Sequence, residues 1–430
     1  ISKNKITKFL DKNKKLSKYK SFFKKMRTLK PYQLSDEIER FLNDKSVVGI
    51  SAWNRLFDET MADLKFKVNN KVMGLEEILN NLSSEDRNLR EKSAKNIAKV
   101  LEKNILLFTR ITNTIVKEKA IEDKWRKFPS PDYSRHLSND VEPEVVKALR
   151  DTVVNSYPEL SHKYYKLKAK ILKIKKLEIW DRNAPLYNHE ENYIAWDEAS
   201  EIVLDAFNKF DPLFKKIAIP FFKNNWIDAK VSKGKAPGAF AHPTTTDIHP
   251  YIMINYLGKS RDVMTLAHEL GHGIHQTLAS KQGELLSSTP LTLAETASVF
   301  GEMLTFKKML SENKSEMETK QLLARKIEDM INTLVRQISF YDFECRVHKA
   351  RKENELLPTE INKIWLEISK ESLGNGFNFM KGYENFWAYI PHFIHSPFYV
   401  YAYAFGDALV NALFAEYEKG VKDFEKNYIK

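Results

Sequence analysis

The tightest constraint on this chain is the five-residue run His268-Glu269-Leu270-Gly271-His272. Positions i and i+4 of an α-helix share a face, so in a helix both imidazoles reach one point in space. Two neutral imidazoles at this spacing, completed by a carboxylate, form a ligand set for Zn²⁺. Glu269 lies to the side of that face, where it can take a proton from a water and act as general base. The surroundings argue against a pair of surface histidines. Val263, Met264, Leu266 and Ala267 lead in, and Ile274 and Leu278 continue the apolar positions. A helix over 261–281 is therefore expected to face a core, where two imidazoles without partners would be costly.

The third ligand is sought downstream. A three-histidine pattern would need Gly and His at 275 and 278, where the chain has His275 and Leu278. His275 lies two turns beyond His268, roughly 10 Å at ~1.5 Å per residue, too far to share a tetrahedral ion. It is expected to face substrate or to support a ligand from behind. Glu284 follows Gly283 in a loop-like stretch and is poorly held. Glu295 is better placed. Thr289 as N-cap and Pro290 at the first helical position announce a helix start, which puts Glu295 in the second turn. A capping box with Thr292 is the competing reading, and the earlier start at Pro290 removes the need for it. Leu291, Leu293, Ala294, Ala297 and Val299 surround Glu295 in sequence, and a carboxylate among them needs a cation. Ser298 and Glu302 follow at i+3 and i+7 and can orient a ligand; Glu302 fits a surface salt bridge equally well.

HELGH followed by Leu293-Ala294-Glu295-Thr296-Ala297-Ser298 resembles the thimet oligopeptidase and oligoendopeptidase F group of zinc metallopeptidases, most closely oligoendopeptidase F. Further segments carry the resemblance. The run 233–240 is similar to that family's glycine-containing segment, 249–256 to its substrate-side strand, 390–403 to its tyrosine-rich C-terminal segment, and 51–57 to its N-terminal helical domain. The resemblance implies a mainly α, multi-helical zincin-type fold with a small β-sheet beside the active site and a deep substrate channel. It implies one Zn²⁺ per chain on His268, His272 and Glu295, and hydrolysis of internal bonds in short peptides rather than folded proteins. It also implies a histidine and tyrosines that polarise the scissile carbonyl, here His392, Tyr399 and Tyr403. Complete members are longer at both ends. The chain begins at Ile1 and stops in a helical pattern, so an internal piece is expected, with an N-terminal helical domain over 1–80 and a catalytic domain over 81–430.

Several of these residues can be read on their own chemistry. An oxyanion needs hydrogen-bond donors, and Tyr399 and Tyr403 share a face if their segment is helical, whereas Tyr401 points elsewhere. Taken alone, this run reads as an aromatic core helix. The 249–256 strand, with Ile252 and Ile254 on one face, is expected to hold an extended substrate as an edge strand while also packing inward. Gly238 has no side chain and lets a peptide backbone approach.

Helical spacing runs through 33–62, 84–122, 143–175, 197–211, 261–281, 290–350 and 359–372. A hairpin is expected at 64–72 around Asn69-Asn70, and β structure at 187–196 and 238–256. With 430 residues, 43% of them hydrophobic, there is material for a large core. No apolar run approaches ~18 residues, so no membrane partner is expected. One cysteine, Cys345, precludes an intrachain disulfide and fits a reducing, cytoplasmic location. The net charge of +12 suggests nucleic acid until its distribution is seen: eleven lysines and Arg27 against Asp11 crowd residues 1–30. Interleaved apolar residues make that stretch a helical segment with a solvated lysine face, and no nucleic-acid partner is expected. Oligomeric state has no sequence signature here. Other readings would be a dipeptide-releasing carboxypeptidase, for which no cationic clamp stands out in the sequence, a thermolysin-like endoprotease, or a non-enzymatic relative lacking Glu269 or a ligand.

Overall fold

Helical periodicity becomes helix through most of the chain, and the departures have local causes. The computed structural model describes residues 3–187, 193–232, 235, 238–313 and 315–429. Residues 188–192 of the expected β region, and 233, 234, 236 and 237 of the glycine-containing segment, lie outside the described residues. The described part of 187–196 forms no strand, and Trp196 instead opens the helix Trp196–Phe210.

Three expected long helices are broken. The 33–62 segment divides into Asp36–Ser46 and Ile50–Asp63 at Gly49. The 143–175 segment is Pro143–Asn155, then a π turn over Pro158–His162, then Lys163–Ile171; Pro158 lacks the N–H that a continuous helix would use. The 290–350 segment is Leu291–Glu312, Glu316–Ile331, a π turn over Asn332–Arg336, and Gln337–Glu353. Its first break is local: Asn313 Oδ1 accepts from Ser315 N–H (2.9 Å) and Ser315 Oγ from Glu318 N–H (3.3 Å), side-chain bonds that compete with helix. Pro290 is the N-cap of Leu291–Glu312, one position earlier than its expected helical place. The lysine-rich N-terminus is three short helices, Lys3–Lys12, Lys14–Ser17 and Lys20–Leu29, rather than one.

Two compact units result, each assembled from separated segments. Residues 1–29, 189–326 and 405–430 make the first, and 30–188 and 327–404 the second. The expected division at residue 80 falls inside the second unit, just after the helix Leu75–Asn80.

The first unit is built around two helices, Ser260–Ser280, which carries the histidine motif, and Leu291–Glu312, which carries Glu295. Val263, Leu266, Ala267, Leu270 and Ile274 are fully buried along the motif helix. Burial of the larger four contributes about 1.5–3 kcal/mol each. Phe207, Phe210, Phe214, Phe300, Phe414, Phe424 and Tyr428 form an aromatic core in the same unit. Its three-stranded sheet has the order Ile227–Asp228, Tyr251–Met253, Phe240–His242. The middle strand is parallel to the first and antiparallel to the last.

This sheet corrects one expectation. The strand within 249–256 is central, not an edge, and Ile252 and Ile254 are core residues, 2% and 1% exposed. They cannot line a substrate. The strand Ile227–Asp228, which the sequence reading missed, covers the side they would have offered. The two edge strands are Ile227–Asp228 and Phe240–His242.

The second unit packs around the forty-residue helix Arg87–Arg126, capped by Asp86 Oδ1 accepting from Asn88 N–H (2.8 Å) and ended by Lys127 in a left-handed conformation (φ 60°). Ile97, Leu101, Phe108, Ile111 and Ile115 form its buried stripe. The hairpin Phe66–Val68 and Lys71–Met73 forms as expected, turning through Asn69 and Asn70 at φ 50° and 65°. Among the described residues, no helix is long and apolar enough to cross a membrane.

Candidate functional site

In the first turn of the motif helix Asp262 Oδ2 accepts from Leu257 N–H (2.8 Å) and Lys259 N–H (3.0 Å), tying the entering loop to the helix start. Its approach to the Leu291–Glu312 helix depends on glycine. A Cβ at Gly271 would lie 2.5 Å from Ala297 O and 2.6 Å from Ser298 Cα. One at Gly301 would lie 3.0 Å from Ala267 O. The two backbones therefore touch, and Glu295 is carried to the histidines.

His268 Nε2 lies 3.3 Å and His272 Nε2 3.6 Å from the same oxygen, Glu295 Oε2. One ligand atom from each residue falls within 4.8 Å of the others. A tetrahedral ion with bonds of ~2.0–2.1 Å needs ligand atoms about 3.3 Å apart, so the donor set fits Zn²⁺ in spacing and type. His268 Nδ1 donates to Glu302 Oε1 (2.5 Å), so that in the neutral ring, as a metal would require it, the Nε2 lone pair faces the cluster. Lys326 Nζ stands 3.7 Å from the other Glu302 oxygen. Ser298 Oγ donates to Glu295 Oε2 (2.9 Å). Glu302, open between two readings in the sequence, is thus the histidine's partner.

The electrostatics are those of a cation site. Burial alone would lower the His268 pKa, but hydrogen bonds to Glu295 and Glu302 raise it to about 10. Burial would raise Glu295, and the His268 hydrogen bond and histidine charges bring it down to about 2. His272 is lowered to about 4 by burial and the His268 charge. A proton on His268 here does the work of a cation, and a metal ion would displace it. Glu269 is 5% exposed and raised to about 7, first by burial and then by the Glu295 and Glu302 charges. Its Oε2 is buried and has no hydrogen-bond partner among the described residues, an orphan that suits a group awaiting a proton.

His275 is outside this cluster. Its Nε2 is hydrogen-bonded to Thr289 Oγ1 (3.1 Å), and it lines a pocket of the first unit with Leu278 and Leu413. Gly238 sits at φ 86° with open space where a Cβ would point, and its carbonyl accepts from Asn255 Nδ2 (3.1 Å). The positive φ is what favours glycine there. In the strand Phe240–His242, Ala241 O accepts from Gln276 Nε2 of the motif helix (3.2 Å).

The second unit holds the other candidates. His392 Nε2 and Tyr403 Oη are hydrogen-bonded at 3.2 Å, and the Tyr399 ring packs 5.0 Å from Tyr403 and 6.0 Å from His392. They meet for a reason other than helical spacing. Tyr399 precedes the helix Tyr401–Glu418, and Phe398 before it is left-handed at φ 60°. That strained residue is fully buried, and its N–H donates to Glu344 Oε1 (2.7 Å). Burial pushes the Glu344 carboxyl well above its usual range. The Arg135 guanidinium lies over the Tyr399 ring at 5.8 Å, and Arg135 Nε donates to Pro397 O (3.2 Å). Tyr401 points elsewhere, fully buried and bonded to His136 and Asn139. Glu344 and Arg135 escaped the sequence reading, because nothing in their own neighbourhoods announces a loop more than fifty residues further on.

Comparison with known proteins adds a family. A model described as Peptidase family M3 matches residues 80–428, and one described as Oligopeptidase F matches 1–66. The chain is 27% identical to the group B oligopeptidase PepB of Streptococcus agalactiae, covering 100% of this chain and 72% of that protein. It is 26% identical to the oligopeptidase PepF of Bacillus subtilis, covering 100% of this chain and 65% of that one. The chain thus spans about two thirds to three quarters of these relatives. A crystal structure from Chlamydophila abortus superposes with a TM-score of 0.88 at 23% identity, covering 100% and 73% of the two chains. The oligoendopeptidase-F of Enterococcus faecium superposes with a TM-score of 0.76 at 21% identity, covering 100% and 72%. At these identities the structures establish the fold.

Proposed function

Because the chain belongs to peptidase family M3, we propose that it is a zinc-dependent endopeptidase that hydrolyses internal bonds of short peptides. The observation that carries this reading is the convergence of His268 Nε2 and His272 Nε2 on Glu295 Oε2, on the same helix as a buried carboxylate with an orphan oxygen. His268, His272 and Glu295 would hold the ion. When bound, Zn²⁺ supplies Lewis-acid polarisation of water and of the scissile carbonyl. Glu269 takes the proton of the attacking water and delivers it to the leaving amine. Glu302 holds the His268 tautomer. His392, Tyr399 and Tyr403 are the donors for the developing oxyanion, with Tyr403 Oη held by His392. An extended peptide pairs with the edge strand Phe240–His242, whose backbone bonds serve any sequence.

Elemental analysis of the folded chain tests the metal. About one zinc per chain is expected, lost in Glu295→Ala; if Glu284→Ala loses it and Glu295→Ala does not, the ligand set is wrong. Mass spectrometry of products from one susceptible sequence, offered free and embedded in a stable domain, tests the substrate class. Only the free peptide should be cut, because the embedded one must first unfold at a cost of about 5–15 kcal/mol. Equal rates would favour a thermolysin-like endoprotease, and products always two residues long from the C-terminus a dipeptidyl carboxypeptidase.

A further inference from the structure

Within the second unit lies a cavity of ≈ 70 Å³, room for a carboxylate or a few waters, whose wall includes Arg182, Arg336, Asn332, Trp180 and Trp365. Four buried side-chain atoms of this wall have no partner among the described residues: Arg182 Nε, Arg336 Nε, Trp180 Nε1 and Trp365 Nε1. All four are donors, and the wall has no orphaned acceptor to match them. Neither arginine is in an ion pair among the described residues. Asp181, next in sequence to Arg182, is already taken by Arg87 (2.8 Å) and Arg90 (3.0 Å). The Arg182 partners carry no full charge, Asn332 Oδ1 (3.1 Å from Nη2) and the Tyr165 hydroxyl, and Arg336 lies against the Phe340 ring at 5.0 Å.

Two largely buried guanidiniums lining one pocket with no carboxylate between them are unfavourable unless an anion joins them. The backbone also departs from regularity here. Asn332 and Arg336 are the ends of the π turn in the 316–353 helical run, and such turns recur at functional sites. The Arg336 charge is felt by His392, whose imidazole is lowered by burial and then by that charge. The cavity is therefore electrostatically coupled to a residue assigned to the reaction.

We propose that Arg182 and Arg336 form a subsite for a carboxylate of the peptide substrate. This rests on the peptidase reading above and adds a substrate preference to it. The carboxylate is either the peptide's own C-terminus or an Asp or Glu side chain, since a guanidinium fork takes both alike. The sequence offers no hint of the pair, because 154 positions separate the two arginines and each looks like any other surface cation.

The test uses the zinc-loaded full chain and one internally cut peptide in four forms: free acid, C-terminal amide, amide with an added Glu, and amide with Gln in its place. The free acid or the Glu form should exceed its neutral counterpart by about tenfold to a hundredfold in kcat/KM, mainly through KM. Which pair differs identifies the source of the carboxylate. The ratio should fall toward one in Arg182→Gln and in Arg336→Gln. Equal kcat/KM for all four forms of the wild type overturns the proposal without requiring any variant. Chloride or phosphate that changes cleavage of acid and amide forms alike would assign the cavity to a free anion and also overturn it. Calorimetry of the acid and amide peptides on Glu269→Gln protein reads the same preference without turnover. Preferential binding with no cleavage by wild type would defeat the peptidase reading and keep the subsite. Cleavage of all forms at one rate would do the reverse.

Discussion

The two sets of candidate catalytic groups are held by opposite kinds of backbone. His268, His272 and Glu295 project from two regular helices in glycine contact, and a short-range helical repeat sets their spacing. His392, Tyr399 and Tyr403 sit on a short helix, a left-handed turn and the first turn of a longer helix, held by a buried carboxylate from another helix. A metal needs ligand atoms at fixed separations, which repeated helical geometry supplies cheaply. Hydrogen-bond donors for a carbonyl need direction more than spacing. An irregular loop can provide direction only if something else in the fold restrains it.

Five substitutions sharpen or break that contrast, taken here from the largest effect to the smallest. Glu269→Gln keeps the side chain's shape and removes its basicity, so turnover should fall by ~10²–10⁴ or more while zinc content holds. Joint loss of zinc and activity would make Glu269 a ligand instead. Tyr403→Phe should lower kcat by ~10²–10³ with a smaller change in KM, as expected for a donor that acts in the transition state. Unchanged kcat in both Tyr403→Phe and Tyr399→Phe would reduce the loop to an aromatic cluster.

Gly271→Ala attacks the helix pair. The added methyl meets backbone at Ala297 and Ser298, which cannot yield as a side-chain tip does. Chemical denaturation should show a loss of about 1–3 kcal/mol, accompanied by weaker zinc binding. Retained stability and zinc affinity would mean the helices can shift apart without moving Glu295. Glu344→Gln is the mildest. The buried carboxyl is raised well above its usual value, so the folded state holds its proton more tightly than the unfolded chain does. Stability from this group is complete below the unfolded value, near 4.5, and is lost as pH rises toward the folded value. Gln has no such loss. Melting temperatures of the two proteins should therefore differ little at low pH, and the variant should gain on wild type as pH rises through that window. A constant difference across pH would show that Glu344 is not protonated in the fold.

What could be read from the chain alone was what depends on near neighbours. The histidine pair, the glutamate beside it and a carboxylate on a following helix are local patterns, and so is the Asn69-Asn70 hairpin. The sequence leaves Glu302 open as partner of His268, since i+7 on one helix says nothing about what the next helix presents. The assignment of substrate contacts to Ile252 and Ile254 failed for the same kind of reason. A three-residue strand looks identical at the edge or in the middle of a sheet, and here Ile227–Asp228 made it central. Orphaned donors around Arg182 and Arg336, and the carboxylate that holds Phe398 left-handed, depend on which distant segments are buried together. Side-chain chemistry and helical period are written residue by residue, whereas burial, pairing and the absence of a partner belong only to the folded whole.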